Sequence, residues 1–427
     1  MSKGIYLILE PVNHVNAVIK KVNELGYNII VLSSFPTPSP SQYGYVDECI
    51  QSWIQIESWT QINHNLELLK QSLNIEHIKG TYTAVEGVLL FDSIVRKEIG
   101  LPRNEEDIIH NILNKHLCRK TLIDHQLSSI KTFNLDNNEF PLKKDFPVYF
   151  KPSKGGGSLH VKKCHDIEEL NLAYREWKKT DSFHNCSFVN DYMKTESNAL
   201  AETEARGKLV SVEGYTINGK WSPIGINGRI LATNNPAVEL ALIFPFNTRL
   251  ESKIYQYIAD IHQVLGVQWG PTHTEIMIDG NDLEFIELNL RFAGYDTYEL
   301  INKTCTSDIG ELLVNLGAGK SFKFDNTCNS VALARYYQPP FNKNIYEDVS
   351  LPKHPSVIMS YTIWNPDKTY LNPPLPCDYI AGILVKADTV ENIVNVINDI
   401  DKKVIVDGQS IENDKYNVKN LDNLMLV

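Results

Sequence analysis

Apolar residues near the start of the chain fall into two spacings. Residues 5–9 and 29–32 are short, unbroken apolar runs of strand length. Between them Val15, Val18, Ile19, Val22 and Leu25 recur at helical spacing, and Gly26 follows where a helix favours a left-handed residue. The pattern predicts a β-α-β opening with parallel strands and a right-handed crossover. It lacks G-x-G-x-x-G, so it is no dinucleotide fingerprint. The Pro/Ser cluster at 33–41 reads as a loop. Helical spacing then fills about 84–129, broken at Gly100-Leu101-Pro102. Residues 146–150 read as a strand, 161–163 as its hairpin return, and 166–179 as a helix capped by Asp166. From 187 to 277 strands predominate, with one helix at about 250–265. Residues 321–427 return to α/β, with a strand at 381–385 and a helix near 389–401. The expected class is mixed, α/β together with α+β.

Two stretches interrupt this scaffold with chemistry. The first is Lys151-Pro152-Ser153-Lys154-Gly155-Gly156-Gly157-Ser158, directly after a strand. Without Cβ atoms the backbone can approach a ligand closely, and its N–H groups can form an anion nest. Lys151 and Lys154 add positive charge and Ser158 a hydroxyl. A flexible hairpin tip with a basic flank reads equally well from the loop alone. Gly317-Ala318-Gly319-Lys320-Ser321 is a decoy for a phosphate loop, because Val314 stands where the first glycine belongs.

The second stretch is a predicted hairpin, residues 272–278 and 284–291. With a three-residue loop at 280–282, Glu275 sits opposite Glu287, and Asn289 and Arg291 share the Glu287 face. Opposed carboxylates repel unless a cation lies between them. Two carboxylates and an amide oxygen suit Mg²⁺, with Mn²⁺ as a substitute. Arg291 either neutralises a carboxylate or stabilises charge developing on a transferring group. His273 shares the Glu275 face and either lines the site or is a hydrogen-bonded core residue.

Composition narrows the partners. The net charge of −11 excludes general affinity for nucleic acid, whose backbone rewards clustered Lys and Arg. A 43% hydrophobic and 22% charged composition is ordinary for a globular chain, and no run of 18 apolar residues suggests a membrane span. The seven cysteines are scattered without metal-ligand spacing, as expected of reduced thiols in a cytoplasmic protein.

The glycine loop and the carboxylate hairpin, in this order, resemble the ATP-grasp superfamily of carboxylate–amine ligases. That resemblance implies an ATP-grasp fold behind an N-terminal pre-ATP-grasp, Rossmann-like domain. Its divisions fall at 1–104, 105–190 (small subdomain with the glycine loop), 191–320 (central subdomain) and 321–427 (C-terminal lid region). It implies ATP and Mg²⁺ as cofactors. Lys115, on the helix beginning Asn114-Lys115, matches the first ATP lysine and Lys151 the second. Gly155, Gly156, Gly157 and Ser158 match the phosphate loop, and Asn190, Asp191, Tyr192 and Met193 the adenine hinge. Glu275, Glu287 and Asn289 fall on the metal positions and Arg291 on the catalytic arginine. The ribose contact is left open among Glu196, Glu202 and Glu204.

Within the superfamily, Gly270-Pro271-Thr272-His273-Thr274-Glu275 and Pro236-Ala237-Val238-Glu239 look like L-amino-acid ligases. Glu239 then either faces a substrate ammonium or is a surface carboxylate by a loop, and Arg229 either faces a substrate carboxylate or is a plain surface arginine. Leu242 replaces a histidine common in that group. The implied substrates are small carboxylates and amines, amino acids first, and a homodimer is compatible. A ligase amidating a natural-product or cofactor carboxylate, or a nucleotide-binding module without turnover, are the alternatives.

Overall fold

The computed structural model describes residues 3–12, 14–35, 47–156, 158–179, 197–235, 237–341, 343–363, 367–376 and 378–420. The opening β-α-β is present. Strands β1 (Ile5–Leu9), β2 (Asn28–Ser33), β3 (Ile50–Gln55) and β4 (Ile78–Tyr82) make a parallel sheet in the order β3-β2-β1-β4. Helix α1 (Val15–Glu24) crosses between β1 and β2 and buries Val15, Val18, Ile19 and Val22. Gly26 follows it at φ 82°, in the left-handed region. Helices α2 (Ile62–Ser72) and α3 (Leu89–Glu98) complete this unit, with a single 3₁₀ turn, Glu86–Val88, between β4 and α3.

Helices α4 (Glu106–Leu113) and α5 (Lys115–Asp124) come next. Asn114 caps α5, its side chain accepting from the N–H groups of His116 and Leu117. A four-stranded antiparallel sheet follows, from β5 (Thr132–Asn134), β6 (Val148–Pro152), β7 (Lys162–Cys164) and β8 (Ala199–Thr203), in the order β5-β8-β6-β7. Helix α6 (Ile167–Lys179) packs on it, started by Asp166, whose carboxylate accepts from the N–H groups of Glu168 and Glu169.

The largest sheet has nine strands. These are β9 (Lys208–Ile217), β10 (Lys220–Ala232), β11 (Glu239–Phe244), β12 (Trp269–Asp279), β13 (Asp282–Asn289), β14 (Val331–Tyr337), β16 (Val357–Thr362), β17 (Ala381–Ala387) and β20 (Lys419–Asn420). Its order is β13-β12-β9-β10-β11-β14-β17-β16, with β20 added along β10. Short strands β15 (Val349–Ser350), β18 (Ile405–Val406) and β19 (Gln409–Ser410) form a separate sheet. One face of the large sheet is covered by α7 (Glu251–Val264) and α10 (Val390–Asp401), through Ile254, Ile258, Ile261, Ile393 and Ile397. The other packs on α1, α8 (Tyr295–Thr304) and α9 (Ile309–Gly317). The Gly317 decoy is a packing residue: a Cβ there would collide with the Tyr6 hydroxyl and the Thr81 carbonyl.

The carboxylate hairpin departs from its expected form. Asp279 pairs with Asp282, so the turn holds two residues, and the extra residue sits inside β13 as a bulge at Ile286. Glu275 still faces Glu287. The bulge changes the strand's phase, so that Phe285, Leu288 and Leu290 all enter one core while Ile286 and Glu287 turn the other way.

Candidate active site

A cavity of about 240 Å³ opens between the four-stranded sheet and the β9–β10–β12–β13 part of the large sheet. One wall is Tyr149, Lys151, Gly155, Gly156, Ser158 and Glu202; the other includes Leu209, Met277, Glu275, Ile286 and Glu287. Lys115 joins them from the first turn of α5. Gly155 takes φ 124°, a backbone region that side chains avoid. Lys154 is turned inward, 6% exposed, and its N–H donates to Ser197 Oγ at 3.0 Å. Gly157, Asn190, Asp191, Tyr192, Met193 and Pro236 lie outside the described residues.

The lysines reach the cavity through ion pairs. Lys115 Nζ lies 2.8 Å from Glu287 Oε1 and donates to the Gly155 carbonyl at 2.6 Å. Burial opposes its charge, but Glu287 and Glu86 outweigh burial and raise its pKa. Lys151 pairs with Glu202. Burial and Arg119 push Lys151 below the ordinary lysine value, against the pull of Glu202. Burial alone would raise Glu202; Arg119 and Lys151 hold it down, to about 2.

Arg119, expected only as part of the helix that bears Lys115, ties these groups together. Its guanidinium lies 3.3 Å from Glu202 Oε1, donates to the Ile286 carbonyl at 2.9 Å and also donates to the Phe285 carbonyl. It therefore grips the bulge and the carboxylate behind Lys151 at once. Of the three glutamates left open for a ribose, Glu202 is engaged here and Glu204 pairs with Lys163 at 2.5 Å. Glu196 is outside the described residues.

A second charged group runs along the same sheet face. Arg229 pairs with Glu239 and lies 3.1 Å from Glu275. Here the groups assigned to a substrate ammonium and a substrate carboxylate satisfy each other. A bulge at Leu240 turns Glu239 onto the Arg229 face. His273 Nδ1 is 2.7 Å from Glu213, a fully buried carboxylate, and Nε2 is 3.5 Å from Glu275. Burial disfavours a proton on His273, but the two carboxylates retain it and lift its pKa to about 9. Three carboxylates thus face two cations. Glu239 is left short of positive charge, and burial pushes it up, to about 7, despite Arg229. Burial would also raise Glu275, yet Arg229 and His273 hold it well below the usual carboxylate range.

The residues expected to hold a metal lie near one another, and their present partners are cationic side chains. Glu275 and Glu287 are cross-strand neighbours, as are His273 and Asn289. Among the described residues no three His, Cys, Asp or Glu side chains form a ready metal cluster. The donors available are two carboxylates plus the Asn289 amide oxygen, a hard-oxygen set that fits Mg²⁺. Arg291 neutralises neither carboxylate directly. It reaches to the N-terminal unit, where its Nη2 donates to Glu86 at 2.7 Å.

A family model described as "ATP-grasp domain" matches residues 144–299, the span holding β6, the glycine loop and the carboxylate hairpin. Residues 144–299 thus carry an ATP-grasp domain. The chain's fold is similar to a crystal structure of an L-amino acid ligase from Bacillus licheniformis. The TM-score is 0.78 at 17% identity, covering 96% of this chain and all of that one. Phosphoribosylglycinamide synthetase from Anaerococcus prevotii superposes with TM-score 0.68 at 13% identity, covering 94% of this chain and 99% of that one. Among curated proteins, alanine–anticapsin ligase of Bacillus subtilis (strain 168) is 24% identical over 288 residues. That match takes in 60% of this chain and 59% of the ligase, less than two thirds of its length. No helix among the described residues is long and apolar enough to cross a membrane.

Proposed function

We propose that this chain is an ATP- and Mg²⁺-dependent ligase that joins the carboxylate of an amino acid to a second amino acid or small amine. ADP and phosphate are the coproducts. The observation that carries this reading is the convergence of Lys115, Lys151, Gly155, Gly156, Ser158, Glu275 and Glu287 on one cavity. The lysines and loop backbone suit phosphates, while Leu209, Met277 and Ile286 offer apolar surface to a flat base. The similar proteins, an alanine–anticapsin ligase and an L-amino acid ligase, support amino acids as substrates.

A carboxylate is a poor electrophile until phosphorylated; Glu275, Glu287 and Asn289 would hold Mg²⁺, which would supply charge neutralisation for the phosphates of ATP. The chain's own groups do the rest. Lys115 and Lys151 bind phosphate oxygens, each steadied by a carboxylate behind it. Arg291, oriented by Glu86, presents a fixed fork to negative charge developing on the reacting carbonyl. Arg229 and Glu239 exchange their mutual pair for the charged ends of an amino acid. The glycine loop folds over the phosphates and excludes water, which would otherwise intercept the activated carboxylate.

Incubation with ATP, Mg²⁺ and pairs of amino acids tests the reading. Equal amounts of ADP, phosphate and a dipeptide or amide are expected. Release of AMP and pyrophosphate would overturn it.

A further inference from the structure

Away from the cavity, Cys305 ends α8 and Cys328 lies three residues before β14. They face each other across an isolated antiparallel bridge. The Thr306 N–H donates to the Thr327 carbonyl at 3.0 Å, and the Asn329 N–H to the Thr304 carbonyl at 3.0 Å. Those bonds flank the cysteines, which makes Cys305 and Cys328 a non-hydrogen-bonded pair. In such pairs the Cα atoms are about 4.5 Å apart and the side chains closest, within the window a disulfide requires. The Cys328 thiol donates to the Asn326 carbonyl at 3.4 Å, and both cysteines are partly exposed. Cys305 also lines an open surface cavity between α1 and α8.

We propose that Cys305 and Cys328 are an oxidation site, converted to an intramolecular disulfide by exchange with a low-molecular-weight disulfide of the glutathione type. The Cys328 thiolate attacks one sulfur of the small disulfide and expels one small thiolate. The Cys305 thiolate then attacks Cys328 Sγ and expels the second. The protein loses two thiol protons and two electrons, and the oxidant leaves as two small thiols. Contact with Cys305 lowers the pKa of Cys328, which suits it to attack first. Cys118 and Cys164 are buried, and burial raises both thiols, so neither competes. The bond would join the end of α8 to the approach to β14 and enclose α9 in a covalent ring.

The experiment treats the full chain with oxidised glutathione and maps peptides without reduction. A peptide linked through Cys305 and Cys328 is expected, together with a raised Tm that dithiothreitol reverses. Cys305→Ser should instead retain glutathione on Cys328, because the resolving thiol is gone. If Cys305 and Cys328 remain fully alkylatable after treatment, or link only to other cysteines, the proposal fails. None of these readouts involves nucleotide or ligase activity.

Discussion

Arg119 is 1% exposed and contacts three separate parts of the chain: Glu202 on β8, the β13 bulge and Ser128. Without Arg119, Glu202 keeps only Lys151 while Glu284 and the β13 bulge lose their cation, and breaking such a buried ionic group costs about 3–5 kcal/mol. Arg119→Met should therefore lower unfolding stability by that order in urea titration. Lys151→Ala acts differently, because Arg119 still neutralises Glu202. It should fold, while ATP affinity measured by calorimetry drops about 10- to 100-fold, the worth of a charge-assisted contact. Lys151 was legible in sequence because a Lys-Pro corner and a triple glycine mark the place. Glu202 was not, since Glu196, Glu202 and Glu204 look alike locally. Only the pairing of Tyr149 with Glu202 across β6 and β8 singles it out.

Among elements, the β13 hairpin shows how a correct pairing can follow from an incorrect turn. The extra residue moved from the loop into the strand, and the opposition of Glu275 and Glu287 survived because the count did not change. A trace of the bulge is visible in the sequence. Apolar residues fall at Leu283 and Phe285, then at Leu288 and Leu290, so the step lengthens once from two to three. The N-terminal β-α-β unit was readable for the opposite reason, its period never breaking. The partners of Arg229, Glu239 and Arg291 come from other strands or from the N-terminal unit, beyond any local pattern. The glycine loop carries a prediction of its own. Gly155 occupies a conformation costing a side-chain-bearing residue about 1–3 kcal/mol. Gly155→Ala should weaken ATP binding roughly 5- to 100-fold in titration, with little change in Tm, since the loop tip lies outside the packed core.

The whole molecule depends on the N-terminal unit meeting the large sheet. His14 is fully buried there, stacked 5.5 Å from Tyr298 and bonded to the Tyr82 hydroxyl. Burial, and then Arg291, depress its pKa from 6.5 to about 3. Between those values the folded chain binds fewer protons than the unfolded one. Its contribution is thus complete above pH 6.5 and lost as pH falls toward 3, by up to about 1.4 kcal/mol per unit. His14→Phe should flatten the fall of Tm over that interval relative to the native chain. Lys115, which touches both the Gly155 carbonyl and Glu287, has another consequence at this scale. Under the proposed function, it and Arg229 are placeholders, pairing with the carboxylates, Glu287 and Glu275, that a divalent ion would balance. On that reading free nucleotide arriving alone would meet two carboxylates, and a bare ion arriving alone would meet two cations. Each guest therefore prepares the seat of the other. Calorimetry should find that Mg²⁺ tightens ATP binding by the same factor by which ATP tightens Mg²⁺ binding, with Lys115→Met reducing both factors equally.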